Sequence, residues 1–382
     1  MSGMRSSDSL SLWRLGFAAI LIVTLAACGT PTAAPVAPTT APVEPGPAAA
    51  PDLSSYEPPY GAVKPVALVA GSQALCSTSA FKGGTPNIAY MPPATEFNYY
   101  MAIGAGVEAE AGKLGATTFM LAPQSGADIA GQMGMIQDVI TRGVDAIILS
   151  THDEAAAAPL VKRAVDQGIV VIIVNSDIGN FPAPVHGVVG YAQRRGTYKM
   201  GMYIAGMFHG KAKVGALEGQ PGWHSTERIG GYVDALSQFP GMEVVASLPT
   251  AWNVETGNSA MMDMLQAHPE INVVVAANDY EAIGAATAAE SLNRKDVAIF
   301  GNDGDTTGME QIYAGLWDGT VNTTPFVMGE VVMRVAFDCL KGTYPGGWVE
   351  TPVTIVDQTN AINFLCHPET LDPKPSKEYK CP

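Results

Sequence analysis

Val170-Val171-Ile172-Ile173-Val174 runs directly into Asn175-Ser176-Asp177. A run that is apolar on both faces, mostly β-branched and too short for a helix is a strand of a parallel sheet covered by helices. The polar residues after it mark its carboxyl end. Working back along the chain, residues 155–167 form an amphipathic helix, 146–150 a second apolar strand and 127–141 another helix. A strand at 117–122, a helix at 98–114 and a first strand at 87–91 complete that side. On the other side Gly187–Gly190 closes the first set.

The rhythm then restarts. Helices are expected at 196–208, 225–238, 258–267, 280–291 and 306–314, with strands at 214–218, 242–247, 272–276 and 297–301 between them. Alternation of this length predicts open, doubly wound α/β sheets. The fold class is therefore α/β, two doubly wound parallel-sheet lobes meeting near Gly190-Tyr191. Such sheets bind ligands in the crevice outside the carboxyl ends of their strands. Asn175-Ser176-Asp177, Asn278-Asp279 and Asn302-Asp303 all stand at such ends. Any one of them reads equally as a helix cap. Their recurrence in both halves points to a shared site.

The start of the chain has a different composition. Arg5 and Arg14 precede a nearly unbroken apolar run that closes in Leu25-Ala26-Ala27-Cys28. This is the pattern of an export signal, and it is too short for a comfortable span of about 20 residues. The small residues before Cys28 resemble a bacterial lipobox, which makes 1–27 a signal peptide and Cys28 the lipidated residue. Residues 28–59, rich in Pro, Ala, Thr and Val, cannot bury enough surface to order themselves and read as a tether. A net charge of −15 argues against a partner with a phosphate backbone, so no nucleic acid is expected. Apart from Cys28, the cysteines are Cys76, Cys339, Cys366 and Cys381, an even number in an exported chain. Three pairings are open; Cys339 with Cys366 and Cys76 with Cys381 would staple the ends of the body, and free thiols are the alternative.

From residue 87 to 358 the chain resembles the periplasmic sugar-binding proteins of the ribose and galactose type. The matching segments are Phe97-Asn98-Tyr99-Tyr100, the strand at 116–122 with Gln124, and Gln137-Asp138-Val139-Ile140 through Ile148. Val171 to Asp177, Glu227-Arg228-Ile229-Gly230-Gly231-Tyr232, Ala277-Asn278-Asp279 and Asn302-Asp303-Gly304 come next in the family's order. The resemblance implies a type I solute-binding protein whose chain crosses between lobes three times, near Gly190-Tyr191, Pro325-Phe326 and 351–353. Lobe 1 would then hold 87–190 and 327–350, and lobe 2 would hold 191–326 and 351–358. An extension at 60–86 and a tail at 359–382 exceed what that fold needs, and the two are expected to pack together as a collar.

The resemblance also implies the site. Phe97, Tyr99, Tyr100 and Trp252 stand where the family stacks aromatics on sugar faces, and Arg228, Asn278 and Asp303 where it binds hydroxyls. A planar guanidinium fork suits two neighbouring oxygens, and a carboxylate accepting two hydroxyls makes a charge-assisted pair. Two departures stand out. Ribose binders carry an Asp-Arg pair where this chain has Asn175-Ser176, with Asp177 one residue on, and Phe326 stands where an amide is common. Trp223 is expected to close one end of the pocket. Together these predict a monosaccharide, cyclitol or polyol captured for the permease subunits of an ABC importer, by a monomer held at the membrane by its lipid. A sensory protein for a sugar-like or furanone signal and a nucleoside binder are the alternatives. No enzyme is expected, and no cofactor or metal: the six histidines form no close ligand pair, and no nucleophile elbow or complete phosphate-binding loop occurs.

Overall fold

The structure, a computed structural model, describes residues 74–76, 81, 83–382 and the backbone of 65–66. The expectations for the signal peptide, Cys28, the tether and most of the extension lie outside the described residues. The first sheet is built from β1 (Pro65–Val66), β2 (Asn87–Met91), β3 (Thr117–Met120), β4 (Ala146–Leu149), β5 (Val170–Val174) and β6 (Gly187–Gly190). Between them run α1 (Asn98–Leu114), α2 (Ile129–Arg142) and α3 (Glu154–Asp166). The second part of the chain alternates α4 (Gln193–Met207), β7 (Lys211–Glu218), α5 (Trp223–Leu236), β8 (Gly241–Pro249) and α6 (Val254–Ala267). It continues with β9 (Val273–Ala276), α7 (Asp279–Ser291), β10 (Ala298–Asp303), α8 (Thr306–Tyr313) and β11 (Gly319–Asn322). Last come α9 (Pro325–Leu340), β12 (Trp348–Glu350), β13 (Thr354–Asp357) and α10 (Ile362–Leu365).

Two sheets result, ordered β1-β12-β6-β5-β4-β2-β3 and β13-β11-β10-β9-β7-β8. All pairings are parallel except the two edges, where β1 runs against β12 and β13 against β11. The doubly wound, two-lobed α/β fold is thus present. Its inner strands are apolar on both faces because both are covered: every residue of β4, β5 and β9 is buried. Several helices start where the sequence supplies a cap. Asp128, Asp153 and Asn253 accept from the backbone of α2, α3 and α6, and Asn278 and Glu281 form a reciprocal capping box at α7.

The chain passes from the first sheet to the second after β6, returns between β11 and α9, and crosses again between β12 and β13. The return is fixed by close helix packing. A Cβ placed at Gly106 of α1 would lie 2.0 Å from the Phe326 oxygen, and one at Gly329 of α9 would lie 2.0 Å from the Ile103 oxygen. The two backbones touch, so α9 belongs physically with α1 and the first sheet.

The disulfide arrangement differs from the staple expected from sequence. Cys76 is joined to Cys339 and Cys366 to Cys381. Cys339 lies on the buried face of α9, beside the segment 74–76, whose Ala74 amide donates to Val185. Cys366 ends α10, and the tail it holds folds onto α8, where Glu310 accepts from Ser376 and Tyr379. Cys76 of the extension and Cys381 of the tail are therefore tied to different lobes, and among the described residues no disulfide joins extension to tail. Among the described residues, no helix is long and apolar enough to cross a membrane.

Candidate ligand-binding site between the lobes

The carboxyl ends of the strands of both sheets converge on one tight cavity. Phe97, Tyr99, Tyr100, His152 and Asn175 line it from the first lobe, and His224, Arg228, Trp252, Asn278 and Asp303 from the second. Phe97 precedes α1 in extended backbone, which places Tyr99 and Tyr100 in the first turn. Both tyrosines are buried and bind Asn175: the Tyr99 hydroxyl donates to Oδ1 at 2.8 Å, and Nδ2 donates to the Tyr100 oxygen at 3.3 Å. Tyr99 also lies 2.9 Å from Thr323 Oγ1 at the second crossing.

On the second lobe, Arg228 is held along one edge. Its Nε donates to Gln193 Oε1 at 3.0 Å, and Nη1 donates to Ala277 O at 3.0 Å and to Asp303 Oδ1 at 3.1 Å. Nη2 has no hydrogen-bond partner among the described residues, and neither has Asp303 Oδ2. These are the two valences that the ion pair leaves for a ligand. Burial pushes the Asp303 carboxyl up to about 7, against the pull of Arg228. Asn278 is partly committed: Oδ1 accepts from Glu281 N at 2.8 Å and Nδ2 donates to Trp252 O at 2.9 Å, leaving one amide hydrogen. Here cap and site residue coincide.

Across the cleft the His152 and Trp252 rings stack, with centroids 5.9 Å apart and planes 27° apart. The Arg228 guanidinium sits 5.6 Å from the same indole. Burial lowers His152 to about 4. Burial also lowers His224 well below the usual imidazole value, with Arg228 and His152 adding to the effect. With both imidazoles neutral, Arg228 and Asp303 are the charged groups of the lining. Of the six described non-glycine residues with positive φ, four are in or beside this site: Asn175 (60°), Trp252 (65°), Asp303 (153°) and Thr324 (51°). Strain of this kind clusters where a scaffold fixes a binding geometry.

The structure does not bring every expected residue to the cavity. Asp177 and Trp223 are partners of each other: the indole Nε1 donates to Asp177 Oδ1 at 2.8 Å, and Gln193 N donates to Oδ2 at 3.0 Å. They tie the two lobes together beside the cavity. Phe326 sits on α9 against α1, away from the lining; the residue of that crossing that meets the site is Thr323. His152, His224 and Gln193 were not expected at all. Asn98 N donates to the Tyr280 hydroxyl at 2.7 Å, a further tie between the lobes. The histidine Nδ1 atoms face carbonyl oxygens of Gly126 and Gln193, so neither is paired with a serine or cysteine nucleophile. Among the described residues, the metal-ligand cluster close enough to hold an ion is Cys366, His367 and Cys381, and its two sulfurs are bonded to each other.

Residues 88–343 match the family described as periplasmic binding protein domain. The D-ribose/D-allose-binding protein of Pseudomonas aeruginosa is 32% identical over 243 residues, 60% of this chain and 75% of that protein. The ribose import binding protein of Bacillus subtilis is 28% identical over 261 residues, 68% of this chain and 83% of its own length. Among solved structures, an ABC transporter periplasmic solute binding protein of Actinobacillus succinogenes with bound D-allose superposes with a TM-score of 0.69 at 25% identity. It covers 73% of this chain and 100% of its own.

Proposed function

Because this chain belongs to the periplasmic binding protein domain family, we propose that it captures a monosaccharide, cyclitol or polyol between its lobes and delivers it to an ABC-type importer. It is a binding protein and not an enzyme, as its relatives are. The observation that carries the ligand class is the composition of the cavity: aromatic walls, and a rim on which Arg228 Nη2, Asp303 Oδ2 and one Asn278 hydrogen await neutral polar atoms. A polyhydroxy compound has C–H faces for the first and hydroxyls for the second. The ligands named in the relatives, ribose and allose, are of this class. In this reading residues 1–27 are the export signal, Cys28 carries the lipid, 28–59 form the tether, and both cysteine pairs are disulfides of an extracytoplasmic protein that works as a monomer.

Thermal unfolding against pentoses, hexoses, polyols, cyclitols and nucleosides tests the reading. A ligand that binds only the folded state adds about 2.7 kcal/mol at a hundredfold excess over its dissociation constant. A rise in midpoint with one polyhydroxy compound, removed in Asp303→Asn, is the expected result. The isosteric amide is chosen because Asp303→Ala would leave Arg228 buried and unpaired, a loss of about 3–5 kcal/mol. A response to nucleosides alone would move the ligand class to bases. No response at all would sink the capture of polyols.

A further inference from the structure

His152 and His224 carry an arrangement that the family likeness does not assign. We propose that they are a pair of hydroxyl acceptors, one on each lobe, with tautomers fixed before any ligand arrives, and that they select a ligand able to donate hydroxyls to both lobes at once. The inference rests on the capture of a polyhydroxy ligand and adds to it the residues that set specificity.

Obligate donors and acceptors decide the state of both rings. A guanidinium has only donors, so Arg228 Nε at 3.0 Å fixes the oxygen, not the nitrogen, of the Gln193 amide on its side. That same oxygen lies 3.0 Å from His224 Nδ1. An amide oxygen accepts and cannot donate, so the Nδ1 of His224 carries the hydrogen. In a neutral imidazole this leaves the lone pair on Nε2. His152 reaches the same state by a shorter route: its Nδ1 is 3.3 Å from the backbone oxygen of Gly126, which likewise only accepts. Both rings line the cavity, and neither Nε2 has a hydrogen-bond partner among the described residues.

Two further facts fit. The orientation of the Gln193 side chain is set by the two donors on its oxygen, and its amide acts to lower the neighbouring Asp177 carboxyl. Each tautomer is also set inside one lobe. Gln193, His224 and Arg228 belong to α4 and α5, whereas Gly126 and His152 belong to the first lobe, so opening the cleft disturbs neither. Gln193 is in this sense a positioning residue: it holds the Arg228 fork in plane and turns the His224 acceptor toward the cavity.

Long-range 1H–15N correlation spectra of the ligand-free protein read both tautomers directly. The expected result is Nδ1–H for His152 and His224, with Gln193→Met scrambling the His224 pattern and leaving that of His152 unchanged. An Nε2–H tautomer or an imidazolium at either ring at pH 7 overturns the inference. Calorimetry with the panel compound that binds then compares His224→Phe with His224→Gln, whose amide oxygen reaches the Nε2 position. Phe is expected to weaken binding about tenfold and Gln less, with the monodeoxy analogue lacking the contacted hydroxyl losing nothing further in the Phe variant. Independent, additive losses from variant and analogue would overturn the hydroxyl contact. Failure of every panel compound to bind the wild-type protein would count against the capture reading alone, and the spectra would still decide the tautomers.

Discussion

Asp303 and Glu281 are carboxyls that burial holds in the wrong pH range for a carboxylate, at about 7 and about 8. A carboxyl whose folded pKa lies above its unfolded value binds a proton that the unfolded chain has released. Ionising it therefore subtracts stability as pH rises from about 4 through 8. His152 and His186, each lowered to about 4, act in the opposite sense, but only below about 6.5, where the unfolded imidazole titrates. Between pH 6.5 and 8.5 the carboxyls act alone. The ligand-free protein should lose about 3 kcal/mol across that interval, seen as a falling melting temperature. Glu281→Gln should flatten the slope; a midpoint that holds or rises would refute the assignment. At this scale the sequence reveals some residues and hides others for physical reasons. Asn278 and Asp303 stand at strand ends, where a polar residue is visible. His152 also stands just past a strand, but a histidine in sequence is weighed as a metal ligand or a base, and no such pattern exists here. What makes it a site residue is a ring facing Trp252 from 100 positions away, which no local pattern encodes.

The helices are the most legible elements. Apolar periodicity and caps such as Asp128, Asp153 and Asn278 lie in the chain itself, and the expected bounds of α1 agree with those observed. Strands β11, β12 and β13 escape the sequence because they are short and carry Gly, Thr, Trp and Glu in place of an apolar run. They are strands because neighbouring edges supply their hydrogen bonds. The cysteine pairing was equally hidden, since it depends on which elements α9 and α10 pack against. The two disulfides should differ in weight. Cys76–Cys339 closes a separation of 263 residues and Cys366–Cys381 one of 15. Chain-entropy arguments give about 3 kcal/mol for a 15-residue loop and about 4.7 for 100 residues. Calorimetry of the two double serine variants should show the larger drop in the main transition for Cys76 and Cys339. The reverse order would mean that the tail, not the extension, braces the body.

At the scale of the molecule, the contacts between the lobes describe a shut clamp. Trp223 reaches from α5 to Asp177 beyond β5, and Tyr280 on α7 meets the first residue of α1. Such bonds exist only when the lobes meet, so they belong to the lifetime of the complex. Burial raises the Asp177 carboxyl, and the Trp223 hydrogen bond works against that rise. A hydrogen bond to a charged group contributes about 1.5–3 kcal/mol. Trp223→Phe should therefore speed ligand release about tenfold or more while leaving association nearly unchanged. Stopped-flow release at equal rates in both proteins would remove the latch from the account.

The fit of Gly106 against Phe326 and of Gly329 against Ile103 has a consequence for how the protein is made. The first lobe is begun by β2 and α1, but the helix that fits against α1 is more than 200 residues downstream, beyond the whole of the second lobe. An emerging chain can complete the second sheet almost entirely from contiguous sequence while the first still lacks its partner for α1 and its strand β12. The lobe that is started first thus still lacks α9 and β12 when every strand of the second except β13 has been made. A chain stopped before α9 would present a glycine-notched helix face with nothing to fill it, so the half that emerges early must wait, incomplete, until α9 arrives.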